Sequence, residues 1–341
     1  MRNFSVAILG LGYVGHPLAI NFGKILDTVG FDISKKKILN FKKKIDPTYV
    51  IKKKEFKIAK FLNYSNNPKS IKNSKFKIIA LPTPVYKNNV PDLRILKQGC
   101  VTVGKNLKKG DIIIIESTVY PGTTEEICIP ILEKYSRLKH NLHFFTAYCP
   151  ERINPGDQKN NLKNIIKIVS SNNAQTSKKV KKLYSLFIKK IYEAPSIKVA
   201  EAAKIIENTQ RDINIALMNE LAMLFSKLDI KTKEVVKAAA TKWNFLNFYP
   251  GLVGGHCIGV DPYYLSYRAK ISNFKPNLIT SGRSTNESLV KFISNKIFFL
   301  NRKNKIKIKK IIILGATYKE NVADFRNSKI LDLIKIFKKK N

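Results

Sequence analysis

The sequence is short of the residues that build disulfides and metal sites. Its 341 residues include four cysteines and four histidines. The cysteines are scattered and form no CxxC pair, so disulfides are not expected; they are Cys100, Cys128, Cys149 and Cys257. Only His256 and Cys257 are adjacent among the possible ligands, so no metal is expected.

The sequence also lacks an apolar run long enough to cross a bilayer. Its opening, MRNFSVAILG, runs straight into a predicted strand without the cleavage region of a signal peptide. We therefore expect a cytoplasmic protein with no membrane partner. A hydrophobic content of 44% allows a sizeable core, and the length allows two domains.

Acidic residues are scarce. The chain has 24 Asp and Glu against 63 Lys and Arg, a net charge of +39. Only nine of the basic residues are arginine, and the lysines are spread along the whole chain. Nucleic-acid surfaces favour clustered arginine with aromatic residues, so we expect a solvated basic surface and no nucleic-acid partner. Such a surface attracts anionic small substrates.

Apolar runs alternate with amphipathic segments over residues 1–195. Predicted strands lie at 4–9, 76–81, 112–116, 143–148 and 165–169, and another ends at Asp32. Helical patterns lie between them, for example at 92–106 and 123–138. This alternation predicts an α/β domain with a Rossmann-type, doubly wound parallel sheet.

The pattern changes at residue 196. Apolar residues at 199, 203, 206, 213, 217, 221 and 224 have helical spacing without internal Gly or Pro. They predict one long helix over 196–228 in a central, all-helical domain spanning 196–300, with further helix at 232–241 and 262–300. Residues 301–341 again resemble strand, loop and helix, and we expect them to be the start of a C-terminal α/β element that is not completed.

A G-x-G-x-x-G motif at Gly10, Gly12 and Gly15 follows the first strand and opens a helix. Asp32 ends the next strand, at the usual distance for an acid that binds a ribose. The glycines let a pyrophosphate approach the helix N-terminus, and the acid favours NAD over NADP. A tight turn with no ligand is the alternative.

Two turns follow later strands: LPTP at 81–84 and ESTVYPGTTEE at 116–126. Both lie where doubly wound folds bind ligands, so Thr83 and Thr118 are candidate cofactor contacts. Taken alone, these segments are equally compatible with ordinary turns.

Lys204 and Asn208 share one face of the long helix, away from the apolar stripe. Together they can donate hydrogen bonds to a developing oxyanion. A solvent-exposed pair is the alternative, since lysine is common throughout this chain.

The stretch GLVGGHCIGVDPYYL, residues 251–265, sets Cys257 among glycines, with Asp261 one helical turn or one tight loop later. The thiol could be structural, a metal ligand or a nucleophile. The glycines leave few side chains to bury it, and a thiolate adds to a carbonyl without a metal. We favour the nucleophile.

Six segments together resemble the UDP-glucose/GDP-mannose dehydrogenase family, in order and over nearly all of the chain. They are GLGYVG, ESTVYPGTTEE, CPERINPGD, AEAAKIIENTQRDINIALMNE, FYPGLVGGHCIGVDPYYL and GATYKENVADFRNS. Within the family, YCPERINPGD and GGHCIGVDPYYL look most like the UDP-N-acetylglucosamine (or N-acetylgalactosamine) 6-dehydrogenases, which serve surface polysaccharide synthesis.

The resemblance implies a homodimer formed through the central helix and oxidation of the sugar C6 alcohol to a carboxylate, with NAD accepting two hydrides in turn. Cys257 would form a thiohemiacetal and then a thioester. Lys204 and Asn208 would stabilise oxyanions, Asp261 would handle the first proton with Lys204 and a water, and Glu151 would serve the hydrolytic water. Further implied cofactor contacts are Tyr13, Val14 and Arg326; implied substrate contacts are Glu151, Arg152, Lys204, Asn208, Phe248, Tyr249, Gly251, Gly254, Gly255 and Lys319.

Three departures from the family pattern bear on these expectations. His16 stands where the family usually has Leu, and Gly259 where the subgroup usually has Pro. The chain also stops after the first strand and helix of the C-terminal nucleotide-binding domain. Two alternatives therefore stay open: a one-step hydroxyacid dehydrogenase of similar architecture, and an inactive remnant or nucleotide-binding subunit.

Overall fold

Short apolar runs form most strands of one sheet in the structure. This computed structural model describes residues 4–48, 50–152, 162, 164–305, 308, 310–318, 320 and 324–339. The described strands are β1 (Val6–Leu9), β2 (Thr28–Phe31), β3 (Leu62–Ser65), β4 (Phe76–Ile79), β5 (Ile112–Ile115), β6 (Phe145–Tyr148), β7 (Ile166–Ser171) and β8 (Lys190–Glu193). They are arranged in the order β3-β2-β1-β4-β5-β6-β7-β8. This sheet is the centre of the first of two units, Met1–Ile205 and Ile206–Asn341.

The sheet is parallel from β3 to β6, as predicted, and its central strands are buried along their whole length. Their side chains are almost all apolar, because helices cover both faces of such a sheet. The exception is Lys77 of β4, whose buried ammonium lies 2.6 Å from Asp111 Oδ2. One finding differs from the prediction: β7 pairs with β6 in the antiparallel direction. The described part of the connection between them contains no helix, and an antiparallel neighbour needs no helical crossover.

Six helices are described beside the sheet of the first unit. They are α1 (Gly15–Gly23), α2 (Lys35–Lys42), α3 (Lys53–Ile58), α4 (Arg94–Gly104), α5 (Ile129–Ser136) and α6 (Ala174–Tyr184). A one-turn π-helix at Thr124–Cys128 precedes α5. Leu18 and Phe22 of α1 and Val180 of α6 enter one apolar core with Ile8 and Ile114 of the sheet.

The second unit is helical. The long helix α7 (Ile197–Lys227) confirms the helix predicted at 196–228, and its C-terminal part belongs to this unit. It is followed by α8 (Thr232–Ala239), α9 (Asp261–Ile271), α10 (Asn277–Lys303) and α11 (Lys329–Lys339). Among the described residues, no helix combines the length and apolar character needed to cross a bilayer.

The long helix buries its polar face and exposes its apolar stripe. Val199, Ile206 and Leu217 are 44%, 58% and 52% exposed. Lys204 and Asn208 are only 7% and 8% exposed. The alternative in which these two residues form an ordinary surface pair is therefore wrong for this structure.

The segment 310–318 forms no strand, although its apolar run predicted one. Ile312 and Leu314 are 72% and 94% exposed. A strand exists only where a neighbour accepts its backbone hydrogen bonds, and none of the described residues pairs with this segment. The following helix was predicted correctly and is α11.

Candidate active site

The carboxyl ends of four neighbouring strands bring the predicted cofactor residues to one edge of the sheet. Gly10, Asp32, Ala80 and Glu116 each follow the last residue of β1, β2, β4 or β5. The ladder continues through them: Ala80 donates to the Leu9 carbonyl and Glu116 to the Ile79 carbonyl, both at 2.9 Å. The strand order reverses at β1, where doubly wound folds bind their ligands.

The glycine-rich loop has the shape of a pyrophosphate cradle. Gly10 has a φ of +92°, and a Cβ there would lie 2.6 Å from the Ala80 carbonyl oxygen. A Cβ at Gly15 would lie 1.9 Å from the Gly10 oxygen. At Gly12, in contrast, a Cβ would meet no atom within 4 Å. The turn itself therefore requires glycine at two of the three positions. The third, Gly12, borders open space ahead of α1.

The Asp32 carboxylate accepts backbone hydrogen bonds from the glycine-rich loop and from its own turn. The Leu11 N–H donates to Asp32 Oδ2 at 3.1 Å, and the Ser34 N–H donates to Oδ1 at 2.9 Å. Lys37 Nζ lies 3.1 Å from Asp32 Oδ2, and Asp32 is 6% exposed. These contacts fix a buried acid 21 residues along the chain from the glycine loop, as a ribose site requires.

The two predicted threonines are brought together. The Thr83 hydroxyl donates to the Thr118 carbonyl at 2.7 Å, which joins the turn after β4 to the turn after β5. The Ser117 hydroxyl oxygen accepts from the Leu81 N–H at 2.9 Å. These bonds tie LPTP to ESTVYPGTTEE on the same sheet edge as the glycine loop.

Glu151 lies beside a buried ion pair. Its Oε1 accepts from the Arg152 N–H at 2.7 Å, and Lys167 Nζ lies 3.9 Å from its Oε2. The same ammonium lies 2.9 Å from Glu116 Oε2, and Tyr184 donates its hydroxyl to Glu116 Oε1. Burial raises the pKa of Glu116 to about 7, against the lowering effect of Lys167. Arg152 Nη1 donates to the Ile166 carbonyl at 2.9 Å, toward β7.

On α7, the Lys204–Asn208 face carries a contact to the start of α9. Asn208 Nδ2 donates to Asp261 Oδ2 at 2.6 Å. Asp261 is 2% exposed and is the first residue of α9, with Pro262 after it. A carboxylate and an amide are thus fixed against each other, and Lys204 lies one helical turn before Asn208.

Cys257 lies in a turn that ends at Asp261. Its carbonyl accepts the N–H groups of Val260 and Asp261 at 3.0 and 2.9 Å, so the thiol and the carboxylate are one turn apart, as expected. Cys257 is exposed, whereas Cys100, Cys128 and Cys149 are buried. The structural-thiol alternative is therefore disfavoured by the position of the side chain.

The glycines before Cys257 approach a later segment closely. A Cβ at Gly254 would lie 2.5 Å from the Asn327 oxygen, and one at Gly255 would lie 2.6 Å from the Tyr318 ring. His256 Nε2 lies 3.1 Å from Asp324 Oδ2, and Arg326 binds the same carboxylate through Nε and Nη2. Hydrogen bonding by Arg326 lowers the pKa of Asp324 to about 2. Each of the three residues before Cys257 therefore contacts a residue of the later segment: Asn327, Tyr318 or Asp324.

The remaining predicted contacts fall in several places. Phe248 is half-buried and Tyr249 is 61% exposed, both in the irregular stretch before Gly251. Lys319 and most of CPERINPGD, from residue 153 on, lie outside the described residues.

His16 is 1% exposed and stacks on Phe41, with 4.0 Å between ring centroids. Within the described ranges, no cluster of three or more His, Cys, Asp or Glu residues could hold a metal ion.

The second unit contains a buried polar network that the sequence patterns did not predict. It consists of Asp212, Asn219, Arg283 and Asn286. Asp212 and Asn219 continue the Lys204–Asn208 face of α7 at helical spacing, within the same QRDINIALMNE motif. That spacing was the signal that could have identified them.

Models of one protein family match both units. The NAD-binding domain model of the UDP-glucose/GDP-mannose dehydrogenase family matches residues 4–188. The central-domain model of the same family matches residues 198–288. Together they include the glycine loop, α7 and the cysteine turn.

Individual relatives agree with these matches. The chain is 48% identical over 333 residues to a UDP-N-acetyl-D-glucosamine 6-dehydrogenase of Salmonella typhi, covering 97% of this chain and 78% of that protein. It is 46% identical to a protein of the same name from Pseudomonas aeruginosa, covering 98% and 80%. The solved structure of a UDP-D-ManNAc dehydrogenase from Pyrococcus horikoshii superposes with a TM-score of 0.90 at 33% identity, covering 98% and 81%.

Proposed function

The chain belongs to the UDP-glucose/GDP-mannose dehydrogenase family, and from this membership we propose that it oxidises C6 of UDP-N-acetylglucosamine to the uronic acid. It is an NAD-dependent nucleotide-sugar dehydrogenase. The choice of sugar is supported by the two bacterial relatives at 46% and 48% identity, which carry that substrate in their names. The observation that carries the mechanism is the exposed Cys257, one turn before an Asp261 that is fixed by Asn208.

NAD, when bound, accepts the hydride. The glycine loop fits its pyrophosphate because Gly12 faces open space and the N–H groups of α1 begin there. The carboxylate of Asp32 fits a ribose diol and would repel a 2′-phosphate. Thr83 and Thr118 lie at the same sheet edge and would contact the cofactor, and Arg326 would do so from the C-terminal segment.

The first oxidation converts the C6 alcohol to the aldehyde. As the hydride leaves C6, the hydroxyl proton must leave its oxygen. We assign that proton to Asp261 acting with Lys204 through a water. Asn208 holds Asp261 in place at 2.6 Å and offers its amide to the developing oxyanion.

The second oxidation needs a nucleophile, because an aldehyde carbon bears no hydroxyl whose proton could balance loss of a hydride. The thiolate of Cys257 adds to the carbonyl carbon, a C–S bond forms, and the oxygen becomes the oxyanion of a thiohemiacetal. Lys204 and Asn208 stabilise that charge. Hydride loss then gives a thioester on Cys257.

Hydrolysis regenerates the thiol. Water attacks the thioester carbon, the C–S bond breaks, and the products are the sugar carboxylate and the free cysteine. Glu151 would orient or deprotonate this water. The remaining substrate contacts, including Arg152, Lys319 and the stretch from Phe248 to Gly255, would bind the nucleotide sugar.

We also propose that the chain forms a homodimer through α7. The apolar stripe of this helix stays exposed in the single chain, at Val199, Ile206, Leu217 and Leu224 among others. An exposed apolar stripe at helical spacing is typical of a helix that packs against another copy. We further propose that the protein is cytoplasmic, a location supported by its four free cysteines, because thiols stay reduced there.

The test is NADH formation by the purified chain, counted per molecule of UDP-N-acetylglucosamine consumed. The proposal predicts about two NADH per sugar, since two hydrides leave the same carbon. Cys257→Ser should stop at one NADH per sugar and leave an aldehyde that a carbonyl reagent traps. Because Cys257 is exposed, this variant should keep the wild-type melting temperature.

Other outcomes contradict the proposal in distinct ways. One NADH per substrate from the wild-type protein would favour a one-step dehydrogenase. NAD binding without any NADH would favour a nucleotide-binding subunit. A parallel series with UDP-glucose, UDP-N-acetylgalactosamine and UDP-N-acetylmannosamine identifies the sugar by its kcat/KM.

A further inference from the structure

A buried asparagine of α7 holds the backbone of the irregular stretch before Cys257. Asn219 Oδ1 accepts the Gly251 N–H at 2.8 Å, and its Nδ2 donates to the Gly251 carbonyl at 3.1 Å. Asn219 is completely buried. One side-chain amide therefore binds both polar groups of a single residue, as a neighbouring strand would.

The orientation of Asn219 is itself fixed. Its Nδ2 also donates to Asn286 Oδ1 at 2.7 Å. Asn286 Nδ2 donates in turn to Asp212 Oδ1 at 2.7 Å, and Arg283 Nη1 donates to the same oxygen at 2.6 Å. Since each amide has one acceptor and one donor end, this chain of bonds leaves Asn219 one possible orientation.

The network connects α7, α9 and α10 to the backbone of Gly251. Asp212 and Asn219 lie on α7, and Arg283 and Asn286 lie on α10. The Arg283 guanidinium lies 5.2 Å from the ring centre of Tyr263 on α9, the helix that begins at Asp261. A buried network linked in this way resists rearrangement, because moving any member leaves another without its partner.

The loop needs such an external anchor. Residues 245–254 form no helix or strand. Gly251 is exposed and a Cβ there would meet no atom within 4 Å, so side-chain packing does not fix this position. The bidentate amide contact is what holds the Gly251 backbone against the rigid face of α7.

We propose that Asn219 is a positioning residue for nucleotide-sugar binding: it presets the Gly251 backbone so that the loop is ordered before the ligand arrives. Asn286, Asp212 and Arg283 keep Asn219 in place. This inference rests on the proposed function for the identity of the ligand. A preordered loop raises affinity because binding then does not have to order it.

The test compares Asn219→Ala with Asn214→Ala in the full chain. Asn214 is on the same helix, and within the described part of the chain its side chain bonds to that helix itself, through the Gln210 carbonyl. Asn219→Ala should speed hydrogen–deuterium exchange of the 248–255 segment and weaken UDP-N-acetylglucosamine binding about tenfold by calorimetry. NAD affinity should stay at the wild-type value. Asn214→Ala should change none of these.

A double-mutant cycle separates positioning from general destabilisation. Asn286→Ala should weaken sugar binding in the same direction, and Asn219→Ala with Asn286→Ala should cost no more than Asn219→Ala alone, because both act through one contact. Unchanged loop exchange in Asn219→Ala, or faster exchange with wild-type sugar affinity, overturns the inference. An equal loss of sugar and NAD affinity also overturns it. The proposed function fails separately, if the wild-type protein binds the sugar but releases no NADH.

Discussion

Gly12 and Gly15 of the cofactor loop have different physical roles, although both are glycines of the same motif. Gly15 is needed by the fold, since a Cβ would lie 1.9 Å from the Gly10 carbonyl oxygen. Gly12 borders empty space. Gly12→Ala should therefore keep the wild-type melting temperature and lose about tenfold or more in NAD affinity, because its methyl group occupies the pyrophosphate position. Differential scanning fluorimetry with NAD titration measures both quantities.

Gly15→Ala is the matched variant. It should lower the melting temperature, because the clash is with backbone and cannot be relieved by a side-chain rotation. Wild-type NAD affinity in Gly12→Ala would mean that the pyrophosphate does not approach that glycine.

Lys204, Asn208 and Cys257 could be proposed from the sequence because each stands in a local pattern. The role of Glu151 was implied only by the family resemblance. The helical spacing of Lys204 and Asn208, and the glycines around Cys257, need no tertiary information. The hydrogen-bond partners of these side chains cannot all be predicted from local patterns. The Asn208–Asp261 bond joins residues 53 apart, and only the fold brings them together.

At the level of elements, the helix after the PGTT turn begins against a buried acid. Glu201 accepts the Gly122 N–H at 2.5 Å and the Thr124 N–H at 2.9 Å, at the start of the π-helix Thr124–Cys128 that precedes α5. Burial is the largest influence on this carboxyl and raises its pKa to about 7, even though the two N–H groups favour the charged form. The folded protein therefore binds this proton more tightly than the unfolded chain.

This pKa predicts a pH dependence of stability. The contribution of Glu201 is complete below the unfolded pKa of about 4.5 and is lost as the pH rises through about 7. The free energy of unfolding should thus fall across this window by on the order of 3 kcal/mol from this group. Glu201→Gln should remove that slope in denaturant titrations at several pH values.

The comparison must be a difference between variants, because Glu116 has a raised pKa in the same window. Glu126→Gln, in the same motif but with an exposed side chain, is the control and should keep the wild-type slope. A slope that survives in Glu201→Gln would assign the effect to Glu116 instead.

Elements with one dominant pattern were predicted well from sequence. The apolar runs of β1, β4 and β5 and the uninterrupted periodicity of α7 each have a single physical interpretation. β3 and β8 were missed, because their exposed positions give them little apolar character. The apolar run near Ile312 has the composition of a strand, but pairing depends on a neighbour that sequence does not reveal.

At the scale of the whole molecule, charge is the dominant feature. A net charge of +39 attracts anions over a distance of about 10 Å at moderate salt. Encounter with a doubly negative nucleotide sugar should therefore be faster at low ionic strength. The sequence predicted this directly, because charge is a sum over residues and does not depend on how they fold.

The burial of three of the four thiols allows the exposed Cys257 to be counted by chemical modification. Only Cys257 is exposed, so an anionic disulfide reagent should modify one thiol per folded chain and four after denaturation. Because of the positive field, added salt should slow this reaction more than the reaction with a neutral alkylating reagent. Rapid modification of a second thiol in the folded protein would contradict the burial of the other three. The amount of coloured thiol product released in the first phase then reports how many chains in a preparation have an intact Cys257 thiol, before any substrate is added.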